Sequence, residues 1–216
     1  MVSLLIANKN YSSWSLRPWV LMRMLGIPFR EELIPFGPQP AGRSIAERSP
    51  SGKVPCLIDG GTAVWDSLAI IEYLAERHPG VWPADAQARA WARSAAAEMH
   101  AGFFALRSQC GMNCGIRLQR IAVDAALQAD LARLDALWNE GLSRFGGPFL
   151  GGSAFTAVDA FYAPVAFRIQ SYGLLLSPPA AAYAQRVLAL EPMRDWYAAA
   201  LDEPWREPAH EAEVLQ

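Results

Sequence analysis

Three short segments in the first 70 residues hold the groups best suited to chemistry. The first is Tyr11-Ser12-Ser13-Trp14-Ser15-Leu16-Arg17-Pro18, which passes from a polar turn into a helical pattern. A helix N-terminus offers unpaired N–H groups and partial positive charge. A hydroxyl placed there can donate to a thiolate and favour it over the thiol, although the same serines also suit plain helix capping. The second is Gly52-Lys53-Val54-Pro55-Cys56-Leu57, where proline leads into a strand and argues for an edge, a bulge or a cis bond. A cis Val54-Pro55 peptide would turn the Val54 N–H and C=O outward, free to pair with an extended peptide. An ordinary turn is the simpler alternative. The third is Trp65-Asp66-Ser67, at the opening of a helical pattern. Ser67 can offer its hydroxyl and backbone N–H to a carboxylate, and Asp66 can take an ammonium group beside it. The pair suits an amino-acid headgroup, or serves as a plain Asp cap.

The elements that must position these groups follow from local patterns. Val2 to Ala7 reads as a buried strand, followed by a polar turn and a helix carrying Leu16, Trp19 and Val20 on one face. That helix closes at Gly26 with Pro28 just beyond. Phe29 to Ile34 reads as a second strand, and Arg43 to Arg48 as a short helix after a proline- and glycine-rich loop. Val54–Asp59 and Thr62–Trp65 flank Gly60-Gly61, a hairpin signal, and Asp66–Arg77 is amphipathic. The order is β-α-β-α-β-β-α over residues 1–78. A linker follows over 79–86, and residues 87–216 read as all-helical, with helices near 86–110, 119–145, 156–171, 180–190 and 192–202. Pro18 is expected in the first turn of its helix, where proline is tolerated.

Bulk properties narrow the class. Apolar residues make up 52% of 216, and the net charge of −2 comes without a block of like charges, which argues against a nucleic-acid partner. No apolar run approaches the roughly 20 residues of a membrane span. Three cysteines do not form a secreted disulfide framework, and the opening apolar run is too short for a signal region. A soluble, cytoplasmic protein is expected. Cys110 and Cys114 lie four apart with His100 ten residues earlier, but no compact set of three or four ligands emerges. No metal is expected, and the cysteines read as core or pocket wall.

The sequence of signals (strand, serine loop, helix, Lys53-Val54-Pro55 before a hairpin, then Asp66-Ser67 opening Ala69-Ile70-Ile71-Glu72-Tyr73-Leu74) resembles the cytosolic glutathione S-transferase superfamily along essentially the whole chain. The Ser12-Ser13-Trp14-Ser15-Leu16-Arg17 segment is similar to the serine-type classes, the zeta or maleylacetoacetate isomerase class in particular. Trp14 stands where that class carries cysteine, and it also replaces the cysteine of the beta-class Cys-Ser-Leu motif. Gly151 to Asp159 resembles the family's capping box, with Thr156 as cap and Asp159 three residues on.

The resemblance implies a thioredoxin-like N-terminal domain and a glutathione S-transferase-type helical C-terminal domain, an α/β half followed by an all-α half. It implies that Ser13 donates to the glutathione sulfur, with Ser12 and Tyr11 as the neighbouring alternatives. Val54 would pair through its backbone with the cysteinyl part, with Pro55 cis. Ser67 and Asp66 would hold the γ-glutamyl end, and Lys53 would reach the glycyl carboxylate. The first helix of the second half would line the second-substrate pocket. There Met99, Phe103 and Arg107, at i, i+4 and i+8, share a helical face and would offer an apolar wall with one cation to an anionic electrophile, with Trp14 at the entrance. The implied activity is glutathione transfer to a small electrophile, with detoxification as the biological setting, by a homodimer. The alternatives are glutathione-dependent cis–trans isomerisation and a non-catalytic binding or regulatory role. Reduction through a mixed disulfide is disfavoured by Trp14 and two serines at the thiol-activating position.

Overall fold

The computed structural model describes residues 2–118 and 122–213. Strands β1 (Ser3–Ile6), β2 (Arg30–Leu33), β3 (Cys56–Asp59) and β4 (Thr62–Trp65) form one sheet in the order β2-β1-β3-β4. β1 runs parallel to β2, as the intervening helix α1 (Ser13–Met24) requires, while β1–β3 and β3–β4 are antiparallel. Gly60, at φ 59°, supplies the left-handed residue that the β3–β4 hairpin needs. With α2 (Ile45–Arg48) and α3 (Ser67–Ala75) these elements complete a thioredoxin-like N-terminal domain.

Beyond it the chain is helical: α4 (Ala86–Ala101), α5 (Phe104–Gln109), α6 (Ala125–Phe145), α7 (Ala157–Tyr172), α8 (Pro178–Leu188), α9 (Glu191–Asp202) and α10 (Pro208–Glu213). The central element is α7, buried at every residue except Gln170 and packed against α1, α4 and α8. Its start is fixed by a capping box, in which Thr156 and Asp159 satisfy each other's backbone N–H groups. No helix among the described residues is long and apolar enough to cross a membrane.

Four expectations need correction. The helix expected over 86–110 is two helices, because Phe103 turns left-handed at φ 55° and the Leu106 N–H is taken by Asp130 of α6 at 3.0 Å. Gly102 sits at the break, where a Cβ would lie 2.8 Å from the Glu98 carbonyl oxygen. Of the helix expected over 119–145, residues 119–121 lie outside the described residues; α6 starts at Ala125, capped by Asp124. Pro18 falls inside α1 as its sixth residue rather than in the first turn, so the Trp14 carbonyl lacks its usual intrahelical donor. Finally, α10 was not anticipated; Pro208, its first residue, is the local signal for it.

The loop between β1 and α1 is clamped from the far end of the chain. The carboxylate of Glu203 accepts from the Lys9 N–H at 2.7 Å and the Asn10 N–H at 3.3 Å, and Trp196 donates to the Lys9 carbonyl at 2.9 Å. Asn10 also bonds Asn113, at 3.0 Å. Buried polar bonds of this kind hold a loop rigid because breaking one strands its partner.

Candidate active site

The clamped loop delivers Tyr11, Ser12 and Ser13 to one wall of a cavity of about 590 Å³. Gly52, Lys53 and Val54 from the loop before β3 form a second wall, and Phe104, Arg107, Ser108, Met112 and Arg168 form the side supplied by the helical domain. Phe36 and His210 stack on each other, with 5.5 Å between ring centroids, at a further edge. The volume falls in the range of small-ligand sites.

Ser12 and Ser13 differ in what they can do. The Ser12 hydroxyl is engaged with Ser15 Oγ at 2.7 Å, and Ser15 Oγ accepts from the Ala7 N–H at 3.3 Å. Ser13, the first residue of α1, makes no side-chain hydrogen bond among the described residues, though it is buried and lines the cavity. The Tyr11 hydroxyl donates to the carboxylate of Glu211, and burial, then that bond, raises its pKa.

Across the cavity, the Val54-Pro55 peptide is cis, and Val54 makes no backbone hydrogen bond among the described residues. Lys53 is exposed and its ammonium is unpaired among them. Asp66 adopts φ 72° and ψ 135°, a left-handed conformation that disfavours side chains, and caps the Leu68 N–H at 2.8 Å. Ser67 is fully buried, its hydroxyl accepting from Arg17 Nη1 at 3.3 Å. Neither Asp66 nor Ser67 lies on the cavity wall.

The expected face of Met99, Phe103 and Arg107 does not exist as drawn. Met99 is buried in the core, and Phe103 packs edge-on to Tyr162 at 6.3 Å between ring centroids. The kink at Gly102 turns only Arg107 to the cavity, joined by Phe104 and Ser108 of the same short helix. Arg107 Nη1 donates to the carbonyls of His100 and Gly102, at 3.3 Å each. Trp14 lies in the cavity wall, with the Arg107 guanidinium 4.8 Å and the Arg17 guanidinium 4.1 Å from its ring centroid.

Sequence reasoning missed Arg168. It is the lone cation of α7, and a single arginine in an otherwise buried apolar helix was the available signal. Its Nε donates to the Cys110 carbonyl at 2.7 Å. Burial, and then Arg107, pull its pKa down to about 10; burial, then Arg168 and Arg107, pull that of Arg17 down to about 9. Cys110 and Cys114 are fully buried thiols, and burial raises both pKa values.

Comparison with known proteins places the N-terminal half and the overall fold among known ones. Residues 11–77 match the model of the glutathione S-transferase N-terminal domain. The chain is 26% identical over 182 residues to a probable maleylacetoacetate isomerase of Caenorhabditis elegans, covering 79% of each. It is 22% identical over 157 residues to a stringent starvation protein A homolog of Pasteurella multocida (strain Pm70), covering 72% of this chain and 69% of that protein. Among solved structures, a glutathione transferase homolog from Burkholderia gl BGR1, holding glutathione, superposes with a TM-score of 0.68 at 20% identity, over 93% of this chain and 98% of that one. Residues 11–77, which build two walls of the cavity, are thus a glutathione S-transferase N-terminal domain, and the fold shared with the Burkholderia structure runs through both halves of the chain.

Proposed function

We propose that the protein is a glutathione transferase that binds glutathione along the Ser13–Val54 wall, activates its thiol and presents it to a small electrophile on the helical side of the cavity. The observation that carries this reading is Ser13 itself. It has a cavity-facing position at the first turn of α1 and a hydroxyl with no other partner among the described residues. The thiolate is the nucleophile, and the hydroxyl need only donate to it, aided by the helix dipole. Val54 would pair with the cysteinyl backbone and Lys53 would meet the glycyl carboxylate. Asp66 and Ser67, outside the cavity lining, would take the γ-glutamyl group.

Ser13 is favoured over its neighbours because Ser12 is bonded to Ser15 and Tyr11 to Glu211. Glutathione-dependent isomerisation is the second reading, supported by the name of the Caenorhabditis elegans relative. The three buried free cysteines suit a reducing, cytoplasmic setting. A homodimer is the expected assembly, read by light scattering at micromolar concentration. Calorimetry with glutathione, followed by chloride release from 1-chloro-2,4-dinitrobenzene, tests the reading. One glutathione per chain and Ser13-dependent release are expected; no binding would overturn it.

A further inference from the structure

We propose that His100 is a proton-operated control on the γ-glutamyl receptor: uncharged, it leaves the Asp66 carboxylate to the ammonium group of glutathione, and protonated, it takes that carboxylate for itself. The inference rests on the glutathione reading above, because it concerns regulation of the same site. His100 belongs to α4 of the helical domain and lies against Trp14, off the cavity wall. Its Nε2 faces Asp66 Oδ2 at 3.6 Å, while Asp66 Oδ1 caps the Leu68 N–H. The oxygen left for an ammonium group is therefore the one that His100 faces.

A separation of 3.6 Å is too long for a hydrogen bond from an uncharged imidazole, so Oδ2 stays open to a ligand. A protonated ring draws the carboxylate by charge and repels an ammonium arriving at the same oxygen. The groups around the ring sharpen that competition. Asp66 from α3 is an anion, Arg17 from α1 and Arg107 from α5 are cations, and α7 presents the Phe161 ring at 6.2 Å between centroids. The carboxylate favours the tautomer with its hydrogen on Nε2, so the proton that charges the ring goes to Nδ1. That nitrogen is buried without a partner among the described residues, and a buried donor with no acceptor is costly. Burial lowers the pKa of His100 below 6.5; Asp66 opposes the shift, and Arg17 and Arg107 assist it. The ring is thus uncharged at neutral pH, and the control acts on the acid side. Ser67, bonded to Arg17, would draw the α-carboxylate of the same headgroup, which leaves the ammonium to meet the ring. By reciprocity, an ammonium seated on Asp66 expels the proton from His100, and the proton weakens the hold on the ammonium.

Calorimetry with S-methylglutathione tests this, because the blocked sulfur removes titration of the thiol. Its deamino analogue, N-glutaryl-S-methylcysteinylglycine, lacks only the ammonium group. Both would be titrated at pH 7.5 and pH 5 into the native protein and into His100→Gln, each shown by circular dichroism to be folded at both values. In the native protein S-methylglutathione should lose about threefold or more in affinity at pH 5, and the deamino analogue less than about 1.5-fold. His100→Gln should bring the S-methylglutathione loss below about 1.5-fold as well. The two arms stand independently: the analogue needs no variant, and the variant decides alone if the analogue binds too weakly to measure. An unchanged affinity in the native protein, or a gain at pH 5, overturns this inference and leaves the glutathione reading in place. An equal loss for the deamino analogue or in His100→Gln assigns the proton to another group and likewise overturns it. The glutathione reading requires room beside the sulfur, so absence of S-methylglutathione binding at pH 7.5 overturns both.

Discussion

The guanidinium of Arg17 lies 4.1 Å from the ring centroid of Trp14 and donates from Nη1 to the hydroxyl of Ser67 at 3.3 Å. One side chain thus ties the cavity-lining helix α1 to the first residue of α3, while its other neighbour, the Phe161 ring at 4.9 Å, belongs to α7. Its Nε is buried without a partner among the described residues, and no carboxylate pairs with it there. Stability alone does not account for a cation so placed, since replacing a buried charge by an apolar group of like volume is often neutral or stabilising.

Arg17→Met is therefore expected to raise folding stability, by about 1 kcal/mol or more, while weakening glutathione binding several-fold because Ser67 Oγ loses its fixed orientation. Urea melts and calorimetry on the same variant check both signs. A variant that is both less stable and unaltered in binding would contradict the account.

The α/β half was legible because its signals are local. Gly60-Gly61 between two apolar runs, Gly26 before Pro28, and Thr156 three residues before Asp159 each state a turn or a cap within a few positions. The kink between α4 and α5 was not legible, because the acceptor that captures the Leu106 N–H is Asp130, 24 residues away on another helix. A pattern read as one continuous face assigned Met99 and Phe103 to the pocket, but Met99 lies on the buried face of α4 and Phe103, at the kink, packs against Tyr162. In the site, the serine loop and Val54-Pro55 were singled out as segments from their residue types, while their roles came from the family resemblance. The resemblance already put Ser13 ahead of Ser12, but the bond between Ser12 and Ser15 that distinguishes the two hydroxyls physically is one that only folding creates.

Asp159 is fully buried and accepts from the Leu150 N–H, the Thr156 N–H and the Tyr183 hydroxyl, all at 2.9 Å. Removing it strands three buried donors. Asp159→Ala should cost about 3 kcal/mol or more, since each unsatisfied buried group costs about 1–3 kcal/mol. Denaturant midpoints measure this, and a loss under about 1 kcal/mol would contradict the assigned network.

His100 bridges the helical domain and the start of α3, with Nε2 3.6 Å from the Asp66 carboxylate and its ring edge-on to Trp14 at 5.3 Å between centroids. Burial lowers its pKa below the ordinary value near 6.5; Asp66 opposes that shift, while Arg17 and Arg107 add to it. The folded state therefore binds the proton less readily than the unfolded chain. The His100 contribution to stability is present above about pH 6.5 and is lost as pH falls through the lower folded value. Urea midpoints at pH 7.5 and pH 5 should show a smaller acid-side loss in His100→Gln than in the native protein. Equal losses would rule out this histidine as a source of acid sensitivity.

Ser12→Ala separates packing from chemistry. Its hydroxyl is bonded to Ser15, so the substitution should cost about 1 kcal/mol of stability yet leave the pKa of bound glutathione in place. Thermal melts and thiol titration on one sample read both quantities.

The most direct test of the central claim is the thiol pKa of bound glutathione, read from ultraviolet thiolate absorbance of the complex against pH in the native protein and in Ser13→Ala. The native complex should titrate below free glutathione. Ser13→Ala should raise that value by about one unit, equivalent to ~1.4 kcal/mol of thiolate stabilisation, with glutathione affinity nearly unchanged. An identical thiol pKa in the two proteins would contradict the assignment of Ser13 as the donor to the sulfur.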